Sequence, residues 1–194
     1  CRYVVIYIKD YTETRIEDAR YVFANLRDDD KRMFSEYKDM EEAFAFHAEK
    51  SCEIKIAYND EKPMCLFGIT NRYPVLNWKY LVFHFGTPEV DQHRKSFVKV
   101  GRLVLNHWLK KYGNLYMTAH SYYKKSFTMA KAFGFKFKFN IYDIYIFARE
   151  MPLAETRAER EKERVLMKTP VRCDKSRHSE SVAVQVRSDN ECQQ

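Results

Sequence analysis

The spacing of hydrophobic positions changes period several times along the chain, and each change marks an element. Tyr3 to Ile8 is a short apolar run rich in β-branched and aromatic residues, which predicts a first strand. Thr14 with Glu17 has the form of a capping box. Ile16, Ala19, Val22, Phe23 and Leu26 then recur at helical spacing. Asp28-Asp29-Asp30 interrupts that helix, and Asp39 with Glu42 starts a second one that runs to about Glu49. Cys52, Ile54, Ile56 and Tyr58 alternate with Glu53, Lys55 and Ala57, the pattern of a half-buried strand. After the turn Asn59-Asp60-Glu61-Lys62-Pro63, Met64 to Ile69 is apolar on both faces, so the two runs make a hairpin. Trp78 to Phe85 is a further strand of the same kind.

The second half continues the alternation of strand and helix. From Asp91 to Lys111, Phe97, Val100, Val104 and Trp108 form one stripe, and Gly113 sits just past the last turn. Leu115 to Ala119 is a short strand. Lys124 to Phe133 is a helix with Phe127, Met129, Ala130 and Phe133 inward, closed by Gly134. Phe135, Phe137, Phe139 and Ile141 alternate with Lys136, Lys138 and Asn140 in a final strand that continues to Phe147. The order β-α-α-β-β-β-α-β-α-β predicts an α/β domain with a mixed sheet and helices on its faces.

Composition sets the boundary of that domain. All 14 Phe, all 14 Tyr, both Trp and all 5 Gly lie between Tyr3 and Phe147. A segment without large apolar groups cannot offset the entropy of ordering itself. Residues 1–150 are therefore expected to fold, and 151–194 to form a charged tail. Glu155 to Lys168 can be helical within it, Pro170 ends that helix, and Val182 to Val186 is a short apolar patch. The tail either stays solvated or orders on a partner.

The net charge of +7 is compatible with nucleic acid, an anionic cofactor or an acidic protein. No Lys/Arg block reaches five residues, so no basic arm is present. In Phe135–Ile141 strict alternation puts every phenylalanine on one face and every lysine on the other. The phenylalanines are then core, and base stacking on them is not expected. No apolar run approaches the 18 residues of a membrane span and no signal peptide is seen, so a membrane role is not expected. Five scattered cysteines without CxxC or zinc spacing suit a reducing compartment. The chain also lacks HExxH, a P-loop and a G-x-S-x-G elbow. His93 and His107 fall on one helix face but about 21 Å apart, too far to share a metal, and no metal is expected.

The element order resembles that of the GNAT family, the Gcn5-related N-acetyltransferases, and Ser126–Phe135 (SFTMAKAFGF) is similar to that family's last helix with its Gly-Phe end. The chain is also similar to the small internal-core proteins of short-tailed podophages, through EKPMCLFGI, then VDQHRKSFVKVGRLVLNHWLKKYG, then a lysine-containing helix ending in glycine. The first resemblance implies a helix N-terminus that holds the pyrophosphate of acetyl-CoA behind a loop of form Arg/Gln-x-x-Gly-x-Gly/Ala. Here Gln92, Arg94, Lys95 and Ser96 fall at that loop, with Lys95 and Phe97 where the small residues belong. It also implies a tyrosine four residues before the Gly-Phe as general acid. Ala130 stands there, which leaves Tyr122 and Tyr123 as substitutes. It implies a carboxylate base on the strand before the loop. Trp78–Phe85 has none, which leaves His84.

With those substitutions, the expectation is a degenerate acetyltransferase-like scaffold that acts by protein interaction in phage internal-core or virion assembly. Its partners would be other virion or assembly proteins, its place the virion or the bacterial host cytoplasm, with no cofactor. The alternative is an N-acetyltransferase with an atypical site, using acetyl-CoA, with His84 as base and Tyr122 or Tyr123 as acid.

Overall fold

The computed structural model describes residues 6–32, 34, 39–71 and 80–151. The expected strand residues before Ile6, the start of the strand at Trp78, and the tail lie outside them. In chain order the elements are β1 (Ile6–Asp10), a 3-10 turn (Glu13–Arg15), α1 (Ile16–Ala24), α2 (Asp28–Arg32), α3 (Met40–Lys50), β2 (Ser51–Asn59), β3 (Lys62–Thr70), β4 (Leu81–Gly86), α4 (Glu89–Gln92), α5 (Arg94–Tyr112), β5 (Leu115–His120), α6 (Lys124–Ala132), β6 (Lys136–Ile141) and β7 (Ile144–Arg149). The strands form one sheet in the order β1-β2-β3-β4-β5-β7-β6. Every pairing is antiparallel except β4 with β5.

Each face of the sheet has its own apolar layer. On one, α1 and α3 bring Val22, Phe23, Ala43 and Phe44 onto Ile54, Ile56, Leu66, Phe83 and Phe85. On the other, α5 and α6 bring Phe97, Val100, Trp108, Met129 and Phe133 onto Phe67, Val82, Met117 and Phe147. Gly101 is the point where α5 and α6 meet, because a Cβ there would stand 2.6 Å from the Phe133 ring. Asp39 caps α3 as expected, accepting from the Glu42 N–H at 2.8 Å. Gly113 and Gly134 end α5 and α6 with φ of 78° and 85°, a region glycine enters without strain. Among the described residues no helix is long and apolar enough to cross a membrane.

Four local expectations are corrected. The Thr14–Glu17 capping box does not form; the chain enters α1 through the 3-10 turn instead, and no side chain caps it. Asp28-Asp29-Asp30 does not merely break a helix, but forms the acidic first turn of α2, where carboxylates meet the positive end of the helix dipole. The helix expected from Asp91 to Lys111 is two, α4 and α5, separated at His93. The last strand is a hairpin. It turns at Tyr142-Asp143 without glycine, holding Tyr142 at φ 50°. The register shifts between Phe137 and Phe139, so alternation fails at Lys138. All of β6 is exposed, Phe137 by 49% and Phe139 by 43%. These two phenylalanines are not the core residues that strict alternation predicts; Phe135 is.

One polar cluster fixes the far end of α5. The Glu53 carboxylate on β2 accepts from Trp108 Nε1 (2.7 Å), Lys111 Nζ (2.6 Å) and Tyr112 Oη (2.6 Å). Burial alone would raise its pKa, but these donors outweigh it and hold the carboxyl at about 2 against an ordinary 4.5. The contribution is therefore whole above pH 4.5 and is lost as the pH falls towards 2. Allowing for solvent screening at this partly exposed group, it is worth on the order of 2 kcal/mol. In urea unfolding between pH 5 and 2, Glu53→Gln should flatten the acid loss of stability by about that amount; a loss unchanged by the substitution would assign it to other groups.

Candidate active site

The parallel contact between β4 and β5 lasts only two rungs, Leu81 with Tyr116 and Val82 with Met117. Beyond them the strands separate, and the hydrogen-bonding edge of β4 turns into the gap. Gly86 shows the direction: its C=O accepts from Arg27 N–H at 3.0 Å and its N–H donates to Asp30 Oδ2 at 2.9 Å. The next residue, Thr87, donates back to Met64 on β3. Backbone groups alternate sides along a strand, so the N–H and C=O of His84 face the gap as those of Gly86 do.

A cavity of about 250 Å³ lies at this gap, lined by His84 from β4, Asp91 and Arg94 from the α4–α5 junction, Tyr123 just before α6, and Ser126 and Met129 from α6. The His84 ring is half-buried and T-shaped against Phe133, with ring centroids 6.4 Å apart. Desolvation lowers its pKa first, Arg27 adds to the effect and Asp30 opposes it, and the sum is about 4. The imidazole is therefore neutral at pH 7.

Beneath the cavity is a buried charge network. Asp30 is fully buried and Arg27 6% exposed. Arg27 donates to Asp30 Oδ2 from Nε (2.9 Å) and Nη2 (2.7 Å), and Tyr123 Oη donates to Oδ1 at 2.8 Å. Asp91 ties this centre to the rim, accepting from Arg27 Nη1 at 3.4 Å and Lys125 Nζ at 3.2 Å. Burial would lower the Arg27 pKa, but Asp30 outweighs it and raises it. Burial, then Asp30, push the Tyr123 phenol well above its ordinary value. Tyr123 is thus a protonated donor committed to a carboxylate, poorly suited to release its proton.

Of the residues singled out in the sequence, His84, Tyr123 and Arg94 meet at the cavity. Tyr122 does not. It is exposed, stacked on His120 at 5.2 Å, with the Arg32 guanidinium 4.2 Å from its ring centroid. Gln92 is exposed at the end of α4, Lys95 is exposed at the start of α5, and Ser96 is buried in the first turn of α5. Ala130 is fully buried in the core. Asp91 falls in the expected loop as a negative charge beside Arg94 and Lys95, whereas Arg27, Asp30, Lys125 and Ser126 went unrecognised in the sequence. The one signal for them was the i, i+3 spacing of Arg27 and Asp30. Among the described residues no group of three or more His, Cys, Asp or Glu could hold a metal.

No protein-family model matches the sequence, and no curated protein matches it. Solved structures do match the fold. The GNAT domain of S. lividans PAT aligns with a TM-score of 0.59 at 11% identity, over 77% of this chain and 96% of that one. RimL, a ribosomal L7/L12 alpha-N-protein acetyltransferase in complex with coenzyme A, aligns at 0.56 and 9% identity, over 76% and 94%. A GNAT-family acetyltransferase from Bacillus anthracis aligns at 0.55 and 11% identity, over 77% and 98%. The fold is that of the GNAT acetyltransferases, a mixed seven-stranded sheet flanked by helices.

Proposed function

We propose that the protein is an acyl-CoA-dependent N-acyltransferase working in the gap between β4 and β5. The observation that carries this reading is the early end of the β4–β5 ladder beside a cavity with a neutral imidazole. An exposed strand edge accepts an extended amide-bearing chain by strand addition, and the arm of coenzyme A is such a chain. The fold's relatives support the choice, since they are acetyltransferases and RimL is in complex with coenzyme A.

The residues present fit the anionic end as well. α5 opens at the cavity rim with Arg94 and Lys95, and a helix N-terminus favours phosphate. The bulky residues at the two small positions do not fill the loop: Phe97 turns into the core against Phe67 and Phe133, and Lys95 is exposed. Lys125 stands across the rim and offsets Asp91.

Bound acyl-CoA would supply an acyl thioester, whose thiolate leaves without a strong acid; that suits a site with Ala130 in place of the tyrosine. His84 takes the proton released when an acceptor amine is acylated, since it is neutral and lines the cavity. Asp30 favours the imidazolium that results. Tyr123 positions Asp30 and Arg27 and transfers no proton.

Millimolar acetyl-CoA tests binding. At about a hundred times its Kd a ligand stabilises by roughly 2.7 kcal/mol, which raises Tm by a few degrees. Arg94→Glu with Lys125→Glu should abolish the rise while leaving the free protein's Tm nearly unchanged, because the Lys125–Asp91 pair is exposed. No rise in the wild-type protein would refute the cradle.

A second reading rests on two other features. Asp30 already occupies the Gly86 N–H on the open edge, and Ala130 offers no acid. Under it the scaffold is an interaction protein of a podophage internal core, joined to other virion or assembly proteins in the virion or host cytoplasm, with no cofactor. This reading also rests on the sequence resemblance through EKPMCLFGI and the α5 segment.

A further inference from the structure

From Gln92 to Tyr142 the chain has eleven Lys or Arg and no Asp or Glu. The segment is α5, β5, α6 and β6, so the charge is concentrated on one helical layer and the sheet edge beside it. Three of the eleven reach carboxylates from elsewhere: Lys111 to Glu53, Lys125 to Asp91 and Lys138 to Glu150. The other eight form no ion pair among the described residues. The +7 of the whole chain understates this field, because acidic residues gather before Asp91.

The same edge carries the protein's exposed apolar groups. Of eight large hydrophobic side chains exposed among the described residues, five lie on the β6–β7 hairpin: Phe137, Phe139, Ile141, Tyr142 and Ile144. A cluster of that kind on a sheet edge marks a contact surface. β6 ends the sheet, and its outer backbone edge pairs with no strand among the described residues.

Tyr142 is the most telling of them. It is 94% exposed, and it occupies the first turn position at φ 50°, where Asn, Asp or Gly is favoured and an aromatic residue is strained. Folding gains nothing visible from this choice. A residue held against its backbone preference at a surface tip points to a role outside the fold.

We propose that the α6–β6 edge binds single-stranded nucleic acid. The unpaired lysines neutralise phosphates, and Phe137 and Tyr142 offer rings for stacking bases. Charge complementarity selects a polyanion, and the interleaved rings select one that carries bases over an acidic polypeptide or an anionic membrane. The inference is independent of acyl transfer: it uses neither the cavity nor the strand gap, and acetyl-CoA binding can fail without touching it.

The test is fluorescence anisotropy of labelled oligothymidylate with the full chain at low salt. The expected Kd is about micromolar, with log K falling against log salt at a slope of roughly −3 for about four phosphates. Tyr142→Asn should weaken binding about five-fold or more while Tm stays level or rises, a pairing that a structural role would not give. The proposal is overturned by no binding at low salt, by polyglutamate displacing the probe as well as unlabelled oligothymidylate does, by phosphatidylglycerol vesicles outcompeting it, or by Tyr142→Asn leaving affinity unchanged.

Discussion

Asp30→Ala should be the most destabilising single substitution near the site, at about 3–5 kcal/mol. The carboxylate is fully buried and satisfies four donors: Arg27 Nε, Arg27 Nη2, Tyr123 Oη and the Gly86 N–H. Removing it strands a guanidinium that is itself almost completely buried, and a charge left without its partner in the interior costs far more than a neutral hydrogen bond. Domains of this size are stable by only about 5–15 kcal/mol, so Tm should fall by about 10 °C or more. Asp30→Asn keeps the shape and part of the hydrogen bonding and should cost less. Arg27→Met with Asp30→Leu removes both charges and should recover part of the loss, although Tyr123 and Gly86 still lose their acceptor. If the double variant is no more stable than Asp30→Ala, the cost lies in packing and the buried pair is not its source.

His84→Ala should reduce kcat/KM for acyl transfer by about 10²–10⁴-fold and leave acetyl-CoA affinity nearly intact. The ring is the one group with an available lone pair that the cavity brings from β4. The wild-type profile should identify it independently. With the imidazole held at about 4, the rate needs a deprotonated base that persists well below neutrality. Once the protonation of the acceptor amine is divided out, its acid limb should therefore fall near pH 4, where an ordinary histidine would place it near 6.5. Transfer that survives His84→Ala, or an acid limb near 6.5, would remove the base role from this residue.

Much of the fold could be read from periodicity. The half-buried alternation of β2, the two-sided apolar runs of β3 and β4, and the stripes of α5 and α6 all report burial directly. The β6–β7 hairpin could not be read this way, because its turn has no glycine and its register slips at Lys138, so one alternating run concealed two strands. The site divides along the same line. His84 stood out as a lone titratable group in an apolar strand. Asp30 did not, because three aspartates in a row look solvated, and the partners that bury this one lie 56 and 93 residues away. No local pattern encodes contacts at that separation. The exposed phenylalanines of β6 show the converse: a pattern that normally means core sits on the edge strand of the sheet, where Phe137 stays 49% exposed although it packs on Tyr145 and Phe147.

The most direct measurement is release of coenzyme A thiol from acetyl-CoA in the presence of hydroxylamine, a small acceptor amine that needs no dedicated pocket. The account predicts protein-catalysed release that saturates in acetyl-CoA and is lost in His84→Ala. Saturable acetyl-CoA binding with no release above the protein-free rate would contradict it, and would leave a scaffold that keeps the gap between β4 and β5 without the chemistry.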